Sequence, residues 1–463
     1  MSFISLQFLV FFMVVTLSYY QLQNQRMRIA LLLAASCYFY MAFVPKYILI
    51  LGGTIVIDYL AGLQIARSTG KSRKTWLIVS IIANVGVLAF FKYFNFLLGT
   101  IEPLIHWASP TTDIPILKIL LPIGLSFHTF QAMSYTIEVY RGKQPAEKDF
   151  LTYALYVMFY PQLVAGPIER PQNVLPQLHR FQEYDRNNVR EGLARMLWGL
   201  FKKAVIADRL AMMVDYCYSH ASTLSSGSLL VGAIFYSFQI YCDFSGYCDI
   251  GIGAAKVMGI RLMENFNEPY LSGSISRFWS RWHISLSTWF RDYVYIPLGG
   301  NRLGEKRRKL NVLFVFLLSG LWHGANWTFV IWGGLHGMLT AFLPGKRQDQ
   351  RSNAFLKNAL FTLVNFMIVT LFWVFFRSPS IKESIHYLSR IFKWTNGPFY
   401  IGLKIEEVWA SVVLIVIMML RERFRKSYFI SNRLAYVSYF TVLVVVSYML
   451  GVFNENQFIY FQF

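Results

Sequence analysis

Long uncharged stretches recur along the chain, and their lengths suit a bilayer. Residues 3–21, 29–45, 47–66, 75–98 and 119–137 are apolar runs, interrupted only by Asp58 in the third and Lys92 in the fourth. Each approaches the roughly 20 residues that a membrane-crossing helix requires. The segments between them alternate in charge. Arg26 and Arg28 follow the first run, Arg67, Lys71, Arg73 and Lys74 the third, and Arg141, Lys143 and Lys148 the fifth. The segment 101–113 carries Glu102 and Asp113 and no Lys or Arg. Basic connections stay cytoplasmic, which predicts that these three lie inside, that 101–113 lies outside, and that the chain starts outside.

The middle is less regular. The run 151–168 contains Pro161, Gly166 and Pro167, which predicts a break. Residues 169–203 are basic and too polar to span, and read as loops and amphipathic helices at the cytoplasmic surface. The run 229–260 is apolar yet holds Asp243, Asp249 and Lys256, which at membrane depth must face a cavity or a partner. Residues 310–345 form 36 positions without a charge. As one helix they would measure about 54 Å, against a hydrocarbon core of about 30 Å. The stretch must therefore break, most simply at Ser319–Asn326, as a re-entrant hairpin or two short spans. Irregular backbone at that depth needs cover from protein or a water-filled cavity, which places His323 inside the protein. Residues 358–376, 405–420 and 434–453 predict further spans, with an amphipathic external segment at 381–397. The Arg421–Arg433 connection is basic and cytoplasmic, so Asn454–Phe463 is expected outside. The count is about ten to twelve crossings.

Composition narrows the class. Of the 463 residues 55% are hydrophobic and 15% charged, against about 25% charged in ordinary soluble domains. Mean hydropathy is +0.41. A soluble, disordered or fibrous protein is a poor fit. The net charge of +20 sits in the short connections, where topology accounts for it, or it forms a basic mouth that attracts an anionic substrate such as a coenzyme phosphate. A nucleic-acid partner is not implied. Cys37, Cys217, Cys242 and Cys248 form no C-x-x-C pair and read as buried apolar residues. The first run lacks a basic flank and a cleavage site, and reads as a retained span.

No P-loop, H-E-x-x-H or G-x-S-x-G motif is present, which argues against an ATP-driven pump, a zincin and an α/β-hydrolase. The eight histidines form no metal-ligand spacing, so no metal site is expected. Two stand out. His283 lies in Phe278-Trp279-Ser280-Arg281-Trp282-His283, where apolar positions 278, 282, 286, 289/290 and 293 predict one amphipathic helix. His323 lies at the predicted break. A histidine in an apolar setting can stay neutral and act as a general base, or it can be a hydrogen-bonded structural residue. His336 is 13 residues beyond His323 and, on a continuous helix, about 220° around it, so a paired role is not expected. His128 also reads as structural.

These residues carry a resemblance. The segment from Met263-Glu264-Asn265-Phe266-Asn267-Glu268-Pro269-Tyr270 through Phe278–His283 to Pro297-Leu298-Gly299-Gly300-Asn301 resembles the membrane-bound O-acyltransferase (MBOAT) family. Leu321-Trp322-His323-Gly324-Ala325 resembles its signature histidine. Tyr241–Tyr247 and Leu163–Pro167 are similar to segments of its bacterial branch, the alginate and peptidoglycan O-acetyltransferases. The likeness is most specific from Leu121 to His336. It departs at His128, where relatives often have an aromatic residue, and at Cys242 and Cys248, which leaves the local packing there open. The resemblance implies a single all-α integral membrane domain over 1–463, with N-terminal helices in 1–118, a catalytic core in 119–345, C-terminal helices and an external tail in 346–463, and broken or re-entrant helices around a central tunnel. It implies a cytoplasmic acetyl-CoA donor, no bound cofactor, a polysaccharide acceptor, a periplasmic acetyltransferase- or esterase-like partner, contact with membrane lipids, and the bacterial inner membrane. By the resemblance His323 and His283 are catalytic. Arg277, Arg281, Arg302, Lys306, Arg307, Arg308 and Lys309 flank the two histidine segments, and Arg277, Arg281, Arg307 and Arg308 are candidate donor-binding residues.

The sequence ends Gln457-Phe458-Ile459-Tyr460-Phe461-Gln462-Phe463. Such an aromatic run is an interfacial anchor, or it folds back to a tunnel mouth with Tyr460 as an acyl relay, by likeness to small partner proteins of teichoic-acid D-alanylation. Two alternatives stay open. One is transfer of another acyl group, such as D-alanine from a carrier protein. The other is a non-enzymatic transporter using Asp243 and Asp249, which the missing repeat weakens.

Overall fold

The computed structural model describes residues 1–108, 122–163, 166–343, 355–424 and 427–453, and among these every regular element is helical. In chain order they are α1 (Leu6–Gln21), α2 (Gln25–Met41), α3 (Ile48–Arg67), α4 (Gly70–Leu88), α5 (Phe94–Ala108), α6 (Leu125–Tyr140), α7 (Phe150–Met158), α8 (Tyr160–Leu163), α9 (Pro171–His179) and α10 (Arg186–Leu200). There follow α11 (Asp208–Ser219), α12 (Ser226–Val257), α13 (Ile275–Trp279), α14 (Ile284–Phe290), α15 (Gly304–His323), α16 (Trp327–Phe342), α17 (Phe355–Arg377), α18 (Ile381–Phe392), α19 (Ile405–Phe424) and α20 (Arg433–Leu450). The chain divides into two compact units, residues 1–193 with 251–263, and residues 194–250 with 264–463.

The predicted apolar runs are helices, and their ends have local causes. Ser5 Oγ accepts from Phe8 N and Asn24 Oδ1 from Arg26 N, which starts α1 and α2. The break expected near Pro161 falls at Phe159, between α7 and α8. Lys92 sits in a π-type turn at Ala89–Tyr93 between α4 and α5. The described residues contain four helical stretches long and apolar enough to cross a bilayer, Pro45–Arg67, Gly70–Pro103, Leu356–Arg377 and Arg433–Leu450. Their outer faces are apolar as well. On α20, Leu434, Tyr448 and Met449 are 76, 80 and 71% exposed. In water such a face would drive association; in lipid it is solvated.

In the first unit α3, α4 and α6 pack on one another. Asp58, the one acidic residue of α3, is buried at their centre and accepts hydrogen bonds from Ser80 Oγ at 2.6 Å and Asn84 Nδ2 at 2.8 Å. Ser80 Oγ also lies 2.9 Å from Thr136 Oγ1 on α6. Polar contacts of this kind tie helices together where water is absent.

In the second unit the uncharged stretch 310–345 breaks where the sequence places the break. α15 ends at His323, Gly324–Asn326 turn the chain, and α16 returns against α15. Asn326 Oδ1 caps α16 by accepting from Thr328 N at 2.9 Å. Gly320 and Gly333 face each other across the hairpin. A Cβ at Gly320 would meet the Phe329 carbonyl and one at Gly333 the Phe316 carbonyl, so only glycine permits this approach. The amphipathic segment near 381 is helical as α18, capped by Ser380 Oγ accepting from Glu383 N at 3.2 Å.

One expectation is corrected. Residues 278–293 are not a single amphipathic helix. α13 and α14 are separated at Ser280–His283, and His283 has φ +45° in the left-handed region. The cause is a backbone crossing with residues 265–267. Ile284 N donates to the Asn265 carbonyl and Asn267 N to the Arg281 carbonyl, each at 2.9 Å. These bonds replace intrahelical ones, and periodicity does not reveal them.

Candidate active site

His323 and His283 meet in the second unit. His323 ends α15 and is buried among aromatic rings. Its ring centroid lies 5.0 Å from Trp322, 5.1 Å from Trp332 and 5.4 Å from Phe376. His283 lies 6.5 Å from His323, centroid to centroid. It is fully buried, with the Phe244 ring edge-on at 4.7 Å. Its Nδ1 is 3.2 Å from Asn265 Oδ1. The left-handed backbone costs on the order of 1–3 kcal/mol for a residue other than glycine, and it turns the imidazole toward α15.

His336 is buried in the same aromatic cluster. Its Nδ1 accepts from Trp279 Nε1 at 3.3 Å, and its ring is 5.0 Å from Trp332. The argument from 220° around one helix fails because the chain reverses between His323 and His336. Both pack on Trp332. His128 belongs to the first unit and lies 2.7 Å from Thr54 Oγ1, a buried structural pair.

A cavity of about 380 Å³ in the second unit is lined by chain neighbours of the two histidines, though by neither histidine itself. Trp279, Ile284, Phe290, Tyr295, Phe316 and Ser319 line it, with Ser276, Ser280 and Thr340. Ile284 follows His283 in the chain, and Ser319 is one turn before His323. Among the described residues the arginine that lines this cavity is Arg291, and none of the candidates Arg277, Arg281, Arg307 and Arg308 does. Arg277 and Arg281 follow the lining residues Ser276 and Ser280. Arg308 donates to the Ala341 carbonyl at 2.9 Å, beside the lining residue Thr340, and forms a fork with Glu305 at 2.6 and 2.7 Å. Arg307 is exposed. Partial burial pushes the Arg281 guanidinium below its usual range, and Arg277 beside it adds to the effect. Arg281 Nη1 donates to the Glu268 carbonyl at 3.3 Å, and Glu268 Oε2 lies 3.7 Å from Arg423. Tyr460 lies outside the described residues.

Residues 90–378, which include both histidines, match the model of the MBOAT, membrane-bound O-acyltransferase family. The chain belongs to that family. It is an O-acyltransferase and a multi-pass membrane protein. A relative in Pseudomonas aeruginosa, named probable alginate O-acetylase AlgI, is 40% identical over 385 residues, 82% of this chain and 73% of the relative. A peptidoglycan O-acetyltransferase of Helicobacter pylori is 37% identical over 385 residues, 77% of this chain and 72% of the relative. A teichoic acid D-alanyltransferase of Bacillus subtilis is 25% identical over 269 residues, 55% of this chain and 67% of the relative.

In this acyltransferase Asp243 and Asp249 are ion-paired. Asp249 lies 2.6 Å from Lys202 and 2.8 Å from Arg195, and Asp243 lies 2.6 Å from Lys203. Lys203 also reaches Asp208 at 2.7 Å, and Lys202 reaches Glu422 at 3.3 Å. A π-type turn at Phe201–Ala207 carries both lysines inward. The acids thus serve as anchors between elements rather than as open ion ligands. Neither these lysines nor Asn265 was assigned a role from sequence. The one available signal was two consecutive cations entering the apolar run Ala204–Ala207.

Proposed function

We propose that this acyltransferase moves acetyl from cytoplasmic acetyl-CoA to hydroxyls of an extracytoplasmic polysaccharide, in the bacterial inner membrane and through a periplasmic partner enzyme. The observation that carries the proposal is the buried histidine pair, with a cavity lined by Ile284, next to His283 in the chain, and by Ser319, one turn before His323. The activities for which the Pseudomonas and Helicobacter relatives are named support the acceptor class. The hydroxyl oxygen of the relay, the Tyr460 phenol, attacks the thioester carbonyl while an imidazole takes its proton. The C–S bond then breaks, and the leaving thiolate receives that proton. Arg277 and Arg281 hold donor phosphates as charge-assisted partners.

Tyr460 is the proposed relay. Its phenol would carry acetyl as an activated ester and pass it to the partner enzyme. Tyr460→Phe keeps the ring and deletes the hydroxyl, so it should eliminate glycan acetylation; a fully active variant would leave only an anchor.

Inverted membrane vesicles given acetyl-labelled acetyl-CoA test the donor. Thioester consumption by the wild-type protein, lost in His323→Ala, is expected. The relatives named teichoic acid D-alanyltransferase, 25 and 30% identical, favour a second reading, a D-alanyl donor. Consumption of a D-alanyl carrier-protein thioester in place of acetyl-CoA would establish it and overturn the first.

A further inference from the structure

We infer that Asn265 is a positioning residue that fixes the tautomer of His283, so that Nδ1 carries the hydrogen and Nε2 is the basic nitrogen. The inference rests on the reading of His283 as part of the acyl-transfer site. Asn265 is buried and sits 18 residues before His283. Its Oδ1 is 3.1 Å from Ser285 N and 2.9 Å from Ser285 Oγ. A backbone N–H can only donate, so the amide oxygen must face it. This settles the amide orientation that coordinates alone leave open. The same oxygen lies 3.2 Å from His283 Nδ1. Ser285 Oγ lies 3.5 Å from Nδ1 as well, but its hydrogen goes to Asn265 Oδ1 at 2.9 Å; two acceptors cannot share the Nδ1–Oδ1 contact, so Nδ1 donates. The hydrogen bond made by one ring nitrogen sets the role of the other, and Nε2 therefore keeps its lone pair. Asn265 also fixes the backbone beneath the ring, because its carbonyl accepts from Ile284 N at 2.9 Å. Its Nδ2 points the other way, 3.4 Å from Cys248 Sγ on α12. Among the described residues, His323 on α15 and Cys248 on α12 are titratable groups that face the pair.

The test compares two substitutions in the purified full-length protein, read as kcat, KM and the pH profile of kcat. Asn265→Leu removes the acceptor. It should lower kcat by about 10²-fold, the lower end of the loss of a general base, with KM little changed. Asn265→Asp keeps an acceptor at the same place and adds a negative charge beside the ring. It should stay within a few-fold of wild type, and the acidic limb of kcat should move to higher pH by about one unit, because a nearby carboxylate favours the imidazolium and the base is needed neutral. Wild-type kcat in Asn265→Leu would overturn the inference. So would Asn265→Asp with an unshifted limb, or with an activity as low as that of Asn265→Leu. Where the leucine variant does not fold, the aspartate variant alone decides. His283→Ala separates the two levels. If it is fully active, the acyl-transfer reading of His283 fails; if it is inactive while both Asn265 variants behave as wild type, only the tautomer assignment fails.

Discussion

The two histidines reach one another by different kinds of structure. His323 is held by a local device, a helical hairpin whose halves lie within 36 residues and touch through glycines. His283 is held by a non-local crossing, in which residues 265–267 pair with 281–284 and force a left-handed kink. The hairpin follows from length. An uncharged stretch twice as long as a bilayer is thick has to turn, and it turns at its small polar residues. The crossing follows from an amide 18 positions away, which leaves no periodic trace. A catalytic residue can thus be legible in position and illegible in orientation within one site.

Substitutions sharpen that contrast, beginning with the hairpin. Gly333→Leu places a side chain against the Phe316 carbonyl, where no Cβ fits. It should abolish both the monodisperse folded protein and activity, checked by size-exclusion chromatography in detergent. A folded, active Gly333→Leu protein would show that the close approach is not required. The ionic anchors come next. Lys202→Met leaves Glu422 without its lysine and Asp249 with Arg195 alone, so the cost stays below the full loss of a buried partner, about 3–5 kcal/mol. A markedly lower melting temperature is expected, partly restored in Lys202→Met/Asp249→Asn. Charge reversal at Arg277 and Arg281 should raise the KM for acetyl-CoA several-fold with kcat little changed, and more at low salt because exposed charges are screened. An unchanged KM would return these arginines to a purely topological role. Ser285→Ala should do least. It removes one of the donors to Asn265 Oδ1 while Ser285 N and His283 Nδ1 remain, so the cost is about 0.5–1.5 kcal/mol.

Much of the fold was legible because membrane spans are written in composition. The runs at 29–45, 47–66, 405–420 and 434–453 correspond to α2, α3, α19 and α20 within a few residues. The turn after His323 was legible for the same reason. What was not legible depended on partners far apart in the chain. Asp243 and Asp249 called for a cavity or a partner, and only the fold shows the partners to be Lys203 and Lys202. That His323 and His336 pack on one ring, Trp332, was not legible either, because the chain turns between them. The helix expected over 278–293 followed a true apolar periodicity, but tertiary hydrogen bonds overrode it.

The central claim is that His283 and His323 act as one acyl-transfer unit. A double-substitution cycle on the purified protein tests it most directly, with acetyl-CoA consumption measured for wild type, His283→Ala, His323→Ala and the double variant. Groups that act together lose activity non-additively. The account predicts that each single variant, folded and still binding donor, loses about 10²- to 10⁴-fold, and that the double variant is no worse than the poorer single. A His323→Ala protein consuming acetyl-CoA at near wild-type rate would contradict it, as would a double variant whose loss is the product of the two single losses.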